Sequence, residues 1–399
     1  MGRALSAALR GPAAAALGVS WPRAPLLMVS SSSRTGPAEG LISLGRELRA
    51  QGIDARFAGD TVREGENLGE HLSQAGVPWE TELRLSRKVR IADVLRDASR
   101  LTAWAREGRY DLFHAAFAHD HALASWAAHR ARNPELRLVR AAQRSIDVTP
   151  GALRLRLRAL RGSDGVVVHA QAYRRALLRL GLDERRVAHV PGSVDASRFS
   201  PGQAKELRAQ WGVPSGARLA GIVARMKPER GQRALLRAWA EVERAVPRAW
   251  LVLVGRGEDE AALRGLSREL GLQRAVFGGY LRGDGLVQGY RALDVAVWLR
   301  EGNDGACRGV LEAMACGVPA IVGDGGAPPE LIGEAGRVVV PEDSRAIAAA
   351  LCDLLDHEAA AGELGRMARE RAEQFTPRRA ADATLAFWRR LRDLPRISG

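Results

Sequence analysis

Along the chain, short apolar runs alternate with longer stretches in which apolar residues recur every three or four positions. The first run, "PLLMVSSSS", starts at Pro25 and ends in a polar loop. It is followed by "AEGLISLGRELRAQG", where Leu41, Leu44 and Leu48 fall on one helical face and Gly52 stands just past the end. "IDARFAG", "YDLFHAAF", "LRLVRAA", "DGVVVHA" and "RVAHVPGSVD" read as further strands with helices between them. The rhythm breaks at Pro201, Gly202, Pro214 and Gly216 and then resumes. The second series of strands is "RLAGIVA", "AWLVLVG", "AVFGGY", "DVAVWL", "PAIVG" and "GRVVV". A last helix-like stretch follows Pro377, with Leu385, Phe387, Trp388 and Leu391 free to pack on either half.

Strand–helix alternation with short apolar strands implies parallel sheets covered by helices. The expected class is therefore α/β, with two tandem Rossmann-like, doubly wound domains facing a cleft. The pattern divides the chain into a disordered lead over 1–24, domains over 25–200 and 201–376, and a C-terminal helix over 377–399 that could pack back on the first domain. In such sheets ligands bind beyond the carboxyl ends of the strands, which makes the cleft the default site.

Composition changes this picture in three ways. Net charge is +14, and residues 1–200 carry 31 Arg and Lys against 20 Asp and Glu, so the first half is the basic half. That suggests an anionic partner or membrane surface there, although with three lysines in all the arginine excess also fits a GC-rich coding sequence. The three cysteines, Cys307, Cys316 and Cys352, form no CxxC pair and argue against a disulfide framework or zinc site, which fits a reducing cytosol. The apolar stretch Ala13–Val19 is far shorter than a membrane span needs, so the lead reads as disordered or as the product of a misplaced start.

The candidate chemistry sits in loops after strands. After "DVAVWL" comes Arg300-Glu301-Gly302-Asn303-Asp304-Gly305-Ala306-Cys307-Arg308, then a helix. Small residues and the unpaired amides of a helix N-terminus make a backbone phosphate site, and Glu312 lies about one turn further on. A capped helix with ordinary surface acids fits the same residues. After "GIVA", the residues Arg225, Lys227 and Arg230 offer cations suited to a diphosphate, or simply a solvated basic loop. "DGGAPPELIG" places Glu330 in a helix first turn, and "SSSSRTGPAEG", with Gly36, feeds another helix N-terminus. There is no Walker A motif and no nucleophile elbow, and Glu260 in "GRGEDE" stands where a dinucleotide fingerprint needs glycine. His114, His119 and His121 lie near one strand end and read better as rim histidines than as metal ligands.

Together these segments resemble glycosyltransferase family 4, retaining enzymes of the GT-B fold that use nucleotide-diphosphate sugars. "VARMKPERG", "LVLVGRGEDEAAL", "VFGGYLRGDGLVQGYRALDVAVWL", "NDGACRGVLEAMACGVPAIV" and "GGAPPELI" match in order, and the first half matches more loosely. The resemblance implies an acceptor-binding first domain and a donor-binding second. It assigns the donor sugar to Asp304, the ribose to Glu312, and the diphosphate to Arg225, Arg230 and the amides near Gly305, Ala306, Cys307 and Arg308. Gly36, Tyr280 and Leu281 fall in the remaining donor-binding segments. The chain departs from the pattern at Asp304, usually Glu, and at Arg230, usually Lys. It also departs at Gln143 or Arg144, where a histidine is usual. Arg144, Gln143, Asp147 and His119 are then the candidates on the sugar or acceptor side.

The implied activity is retaining, metal-independent transfer of a sugar to a glycan or glycolipid of the cell envelope, of polysaccharide or lipopolysaccharide type. No cofactor is expected beyond the nucleotide sugar as co-substrate, and no metal. The basic stretches Glu82–Gly108 and Gly151–Gly162, with interleaved leucines, suggest peripheral contact with anionic membrane on the cytoplasmic side. Few aromatics and no recognisable module exclude a nucleic-acid partner. The alternative is a non-catalytic GT-B protein that binds nucleotide sugar or glycan.

Overall fold

Every strand pair among the described residues of the computed structural model is parallel, as the alternation of strands and helices requires. The structure describes residues 21–32, 35–60, 68–86, 90–142, 150–300 and 307–397, with backbone alone at 150–153. The chain separates into two units. The first takes Met1–His169, Tyr173–Val190 and Ala380–Gly399; the second takes Ala170–Ala172 and Pro191–Arg379.

The first sheet contains β1 (Pro25–Val29), β2 (Arg56–Gly59), β3 (Trp79–Glu80), β4 (Leu112–Ala115), β5 (Arg137–Ala142), β6 (Gly165–Val168) and β7 (Val187–His189), in the order 3-2-1-4-5-6-7. Six of these are the strands the pattern predicts. The two-residue β3 is too short to show a period, and it is held by its side chains. Buried Glu80 accepts hydrogen bonds from Arg109 at 2.8 Å and Arg56 at 3.3 Å, and from the Tyr110 hydroxyl. The second sheet contains β8 (Arg218–Val223), β9 (Ala249–Val254), β10 (Ala275–Gly279), β11 (Val295–Trp298), β12 (Ala320–Gly323) and β13 (Gly336–Val339), all six predicted, in the order 10-9-8-11-12-13. Both sheets are doubly wound, and strand order reverses beside β1 in one and beside β8 in the other.

The same device fixes that reversal in each unit. An aspartate precedes the fourth strand and caps the start of the first. Asp111 accepts hydrogen bonds from the Arg23 and Ala24 amides at 2.7 and 3.1 Å. Asp294 accepts from the Leu219 amide at 2.6 Å and holds Arg208 and Arg218 at 3.0 and 2.9 Å. Carboxylates that hydrogen-bond both backbone and guanidinium are among the stronger polar contacts a fold makes.

Cores form on the sheet faces. Helix Gln232–Ala245 buries Leu235, Leu236, Trp239 and Val242, the stripe expected of its spacing, against β8 and β9. Helix Pro377–Arg392 buries Leu385, Phe387, Trp388 and Leu391 in the first unit, in one cluster with Leu27, Val139 and Val167. Its last carbonyls are met by Arg137, whose guanidinium donates to Leu391 and Arg392 at 3.3 and 3.2 Å. Trp21, at the end of the expected lead, is buried in this cluster. No helix among the described residues is long and apolar enough to cross a membrane.

Candidate functional site

Of the predicted donor residues, Arg225, Arg230, Cys307, Arg308 and Glu312 lie in the segments that follow β8 and β11, neighbours at the switch point of the second sheet. After β8 the chain passes through Arg225 and Lys227 and makes a short turn, Pro228–Arg230. Gly231, at φ 83°, then opens helix Gln232–Ala245. A Cβ at Gly231 would lie 2.9 Å from Leu299 Cβ, so the loop after β8 rests directly on the end of β11. Arg225 is exposed, and its carbonyl accepts from Gln232 Nε2 at 3.1 Å. Lys227 is turned to Glu258, with Nζ 3.0 Å from the carboxylate, so part of its charge is already answered within the protein.

The glycines of "GRGEDE" serve this loop. The Met226 amide donates to the Arg256 carbonyl at 3.1 Å. A Cβ on Gly257 would come within 2.0 Å of the Met226 carbonyl oxygen, and one on Gly255 within 2.0 Å of the Ala224 carbonyl oxygen. Buried Asp259 then pairs with Arg233 and ties the segment to the helix after the loop. The two glycines that fail as a dinucleotide fingerprint therefore act as a backbone brace for the loop of Arg225.

Across the switch point, helix Arg308–Ala315 begins at Cys307, which occupies the left-handed region at φ 47°. A side chain there costs on the order of 1 kcal/mol, a strain found at sites where backbone geometry matters. Glu312 is buried, and both its oxygens are engaged. Arg308 Nη2 donates to Oε1 at 2.8 Å, and the Tyr290 hydroxyl donates to Oε2 at 2.9 Å. Burial, reinforced by the Glu312 charge, pushes the Tyr290 phenol well above its ordinary range, so it stays a donor. Tyr290, Gln232 and the Gly255–Gly257 brace were not legible as site residues. Their signal is long-range contact, which no spacing in the sequence carries.

Tyr280 follows β10 and is half exposed, with the Arg256 guanidinium 4.4 Å and the Arg282 guanidinium 4.9 Å from its ring centroid. Leu281 packs toward Gly289 of the next helix, where a Cβ would meet it at 2.6 Å. The Glu330 carboxylate accepts from the Gln171 and Ala172 amides at 2.7 and 2.9 Å, which group with the same unit. In the first unit, Gly36 begins helix Gly36–Ala50, behind buried Ser30–Ser32, and His119 lies in the first turn of helix Ala118–Ala131. Asp304, Gly305, Ala306, Gln143, Arg144 and Asp147 lie outside the described residues.

The reading of the histidines needs correction. His114 and His121 are buried and do not line a rim. His114 packs edge-on to Trp388 with centroids 5.5 Å apart, and His121 Nε2 lies 2.7 Å from Ser163 Oγ. No group of three or more His, Cys, Asp or Glu among the described residues could hold a metal.

A family model described as glycosyl transferases group 1 matches residues 203–375, and one described as glycosyltransferase family 4 matches 35–198. Both halves of the chain thus resemble glycosyltransferases, the second half those of group 1. Its described architecture is the two-Rossmann GT-B fold, shared with HepE of Anabaena solved with UDP-glucose. That likeness has TM-score 0.77 at 21% identity over 91% of this chain and 98% of HepE. A D-inositol 3-phosphate glycosyltransferase of Saccharomonospora viridis is 34% identical over 57% of this chain and 56% of its own length. A GDP-mannose-dependent monoacylated alpha-(1-6)-phosphatidylinositol monomannoside mannosyltransferase of Corynebacterium glutamicum is 32% identical over 45% and 50%. The chain thus spans about half the length of the curated relatives it matches.

Gly257→Ala is expected to displace the Met226 carbonyl and loosen the loop of Arg225. A stability loss of about 1–3 kcal/mol, the usual cost of overpacking, should accompany loss of nucleotide-sugar stabilisation in thermal shift. A variant that melts and binds like the wild type would show that the brace is dispensable.

Proposed function

We propose that this chain is a retaining, metal-independent glycosyltransferase that moves a sugar from a nucleotide-diphosphate sugar to a glycan or glycolipid of the cell envelope. The observation that supports it best is the meeting, at one switch point, of a braced loop bearing Arg225 and Arg230 with a helix bearing Glu312. Arg225 and Arg230 take the negative charge that grows on the departing diphosphate. Glu312, held by Arg308 and Tyr290, accepts the ribose hydroxyls, and Asp304 orients the donor sugar. The anomeric C–O bond breaks with its electron pair passing to the diphosphate. The acceptor oxygen bonds the anomeric carbon on the same face, and its proton passes to a leaving phosphate oxygen. Curated relatives named for inositol phosphate and phosphatidylinositol acceptors make a polar headgroup the favoured acceptor class.

The test is a thermal-shift screen of UDP- and GDP-sugars, followed by transfer assays with the best donor. Stabilisation of wild type but not of Glu312→Ala is expected. Equal stabilisation of both would remove Glu312 from the donor site. Tight donor binding with no transfer to any acceptor pool would leave a nucleotide-sugar-binding protein instead.

Peripheral membrane contact belongs to the same proposal. On helix Pro150–Arg161, Leu155 is 73% exposed among exposed Arg154 and Arg158, and Ile91 is 77% exposed at the start of helix Ile91–Arg106. Apolar tips ringed by arginine suit an anionic lipid surface. Leu155→Asp is expected to reduce flotation with anionic vesicles several-fold. Equal recovery of the wild type with neutral and anionic vesicles would rule the contact out.

A further inference from the structure

The first unit holds a second concentration of charge that donor binding leaves unused. Arg140 lies in β5, level with Ala115, the last residue of β4, so it stands at the carboxyl rim of the sheet. No side chain among the described residues hydrogen-bonds its guanidinium, and Nη1 is buried without a partner. Among the described residues the acid that attracts it is Asp120, in helix Ala118–Ala131, while Arg156 from helix Pro150–Arg161 repels it. Arg140 and Asp120 do not close into an ion pair. Asp120 is fully buried, and the Ser30 side chain hydrogen-bonds its carboxylate. Oδ2 accepts from the Phe117 amide at 2.9 Å, and Oδ1 has no partner. His114, in β4, likewise leaves Nδ1 buried and unpartnered.

A buried guanidinium nitrogen without an acceptor is costly, and so is an open oxygen on a buried carboxylate. Folds rarely leave such groups unmatched unless water or a ligand completes them. Here both stand at the ligand-binding edge of a doubly wound sheet. The arginine fork suits phosphate oxygens, and Arg156 adds a second cation. Asp120 Oδ1 is free to accept from a hydroxyl. A bare anion would leave Asp120 unanswered, and a neutral sugar would leave Arg140 unanswered. A phosphorylated polyol answers both.

We propose that Arg140 and Asp120 form an anion-and-hydroxyl site for a phosphate-bearing polyol, the recognised part of the acceptor. This rests on reading the first unit as the acceptor-binding half. Its source is either a free polyol phosphate or the headgroup of a phospholipid.

The test compares wild type with Arg140→Met while the donor site is filled by saturating nucleoside diphosphate. Free Arg140→Met is expected to melt at or above the wild-type temperature, because a half-buried charge with an unmatched buried nitrogen has been removed. Stabilisation of the wild type by inorganic phosphate should vanish in the variant. The KM for a phosphorylated acceptor should rise about 10- to 100-fold, the worth of a charged hydrogen bond. The nucleotide shift, which reports the second unit, should be unchanged. Soluble inositol phosphate and vesicles containing phosphatidylinositol form separate arms. A response to the first identifies a free polyol phosphate; a response to the second alone identifies a lipid headgroup. A variant that is destabilised yet keeps the phosphate response would make Arg140 structural and overturn the proposal. Should Arg140→Met fail to fold, Arg140→Lys retains the charge without the fork, and an undiminished phosphate response there would also overturn it. Absence of any nucleotide shift in the wild type would sink the glycosyltransferase reading while leaving the phosphate arm readable.

Discussion

Arg230→Ala is expected to lower kcat/KM for sugar transfer by about 10²- to 10³-fold, the usual effect of removing one preorganised stabiliser of developing charge. The reason lies in where the loop after β8 puts its cations. Lys227 is held by Glu258 at 3.0 Å, so its charge is partly spent. Arg225 is exposed, with its carbonyl fastened by Gln232. Arg230 closes the short turn Pro228–Arg230, its amide donating to the Lys227 carbonyl at 3.0 Å, immediately before the helix that Gly231 opens against Leu299. It is therefore the cation on the most constrained backbone of the loop. Charge stabilisation realised mainly in the transition state should appear in kcat more than in donor affinity. Arg230→Lys, which retains the charge and matches the residue usual in the resembled family, should recover much of the rate. Lys227→Ala should cost far less. Steady-state kinetics at saturating acceptor checks all three. Equal losses for Arg230→Ala and Lys227→Ala would move the leaving-group role away from Arg230.

Acidification is expected to destabilise the first unit by several kcal/mol between about pH 6.5 and about pH 4. Burial pushes the His114 imidazole down to about 3, with the nearby charges of His169 and Arg140 adding to it. Burial and Arg140 push His121 to about 4. Both rings are thus neutral in the folded chain where the unfolded chain would protonate them. Their contribution is fully present above about 6.5 and is lost as pH falls toward the folded values. A tenfold loss of proton affinity on folding is worth about 1.4 kcal/mol, which places His114 on the order of 3–5 kcal/mol. Asp97, Asp111 and Asp120, whose carboxyls burial raises, act in the opposite sense as they protonate. Urea midpoints at about pH 7.5 and about pH 4.5 should therefore diverge for the wild type and draw together for His114→Gln. An identical pH slope in the two proteins would mean that His114 is not held neutral by burial.

The outline of this molecule was readable before folding. Twelve of the thirteen strands fall on apolar runs in the sequence; the exception, Trp79–Glu80, is held by Glu80 and its distant partners. The donor-site candidates were legible for a related reason. Arg225, Arg230 and Glu312 lie in segments that directly follow β8 and β11, and in parallel sheets position after a strand already implies position in space.

Other features required the tertiary structure. "GRGEDE" reads locally as a broken nucleotide motif, and only the close approach of Gly255 and Gly257 to the Ala224 and Met226 carbonyls shows it to be a brace. His114 and His121 look like rim residues until Trp388, from the last helix of the chain, closes over His114, and Ser163 meets His121. Tyr290, 22 residues before Glu312, becomes its partner through packing alone.

By itself, then, the sequence determined the class of fold, the order of its elements and the loops that carry charge. These follow from periodicity and turn chemistry, which act over a few residues. Which of those charges are matched and which are left open was decided by the tertiary structure. Lys227 meets Glu258, whereas Arg140 meets no hydrogen-bonding side chain among the described residues. Desolvation and hydrogen bonding depend on neighbours brought from far along the chain, and no local pattern encodes them.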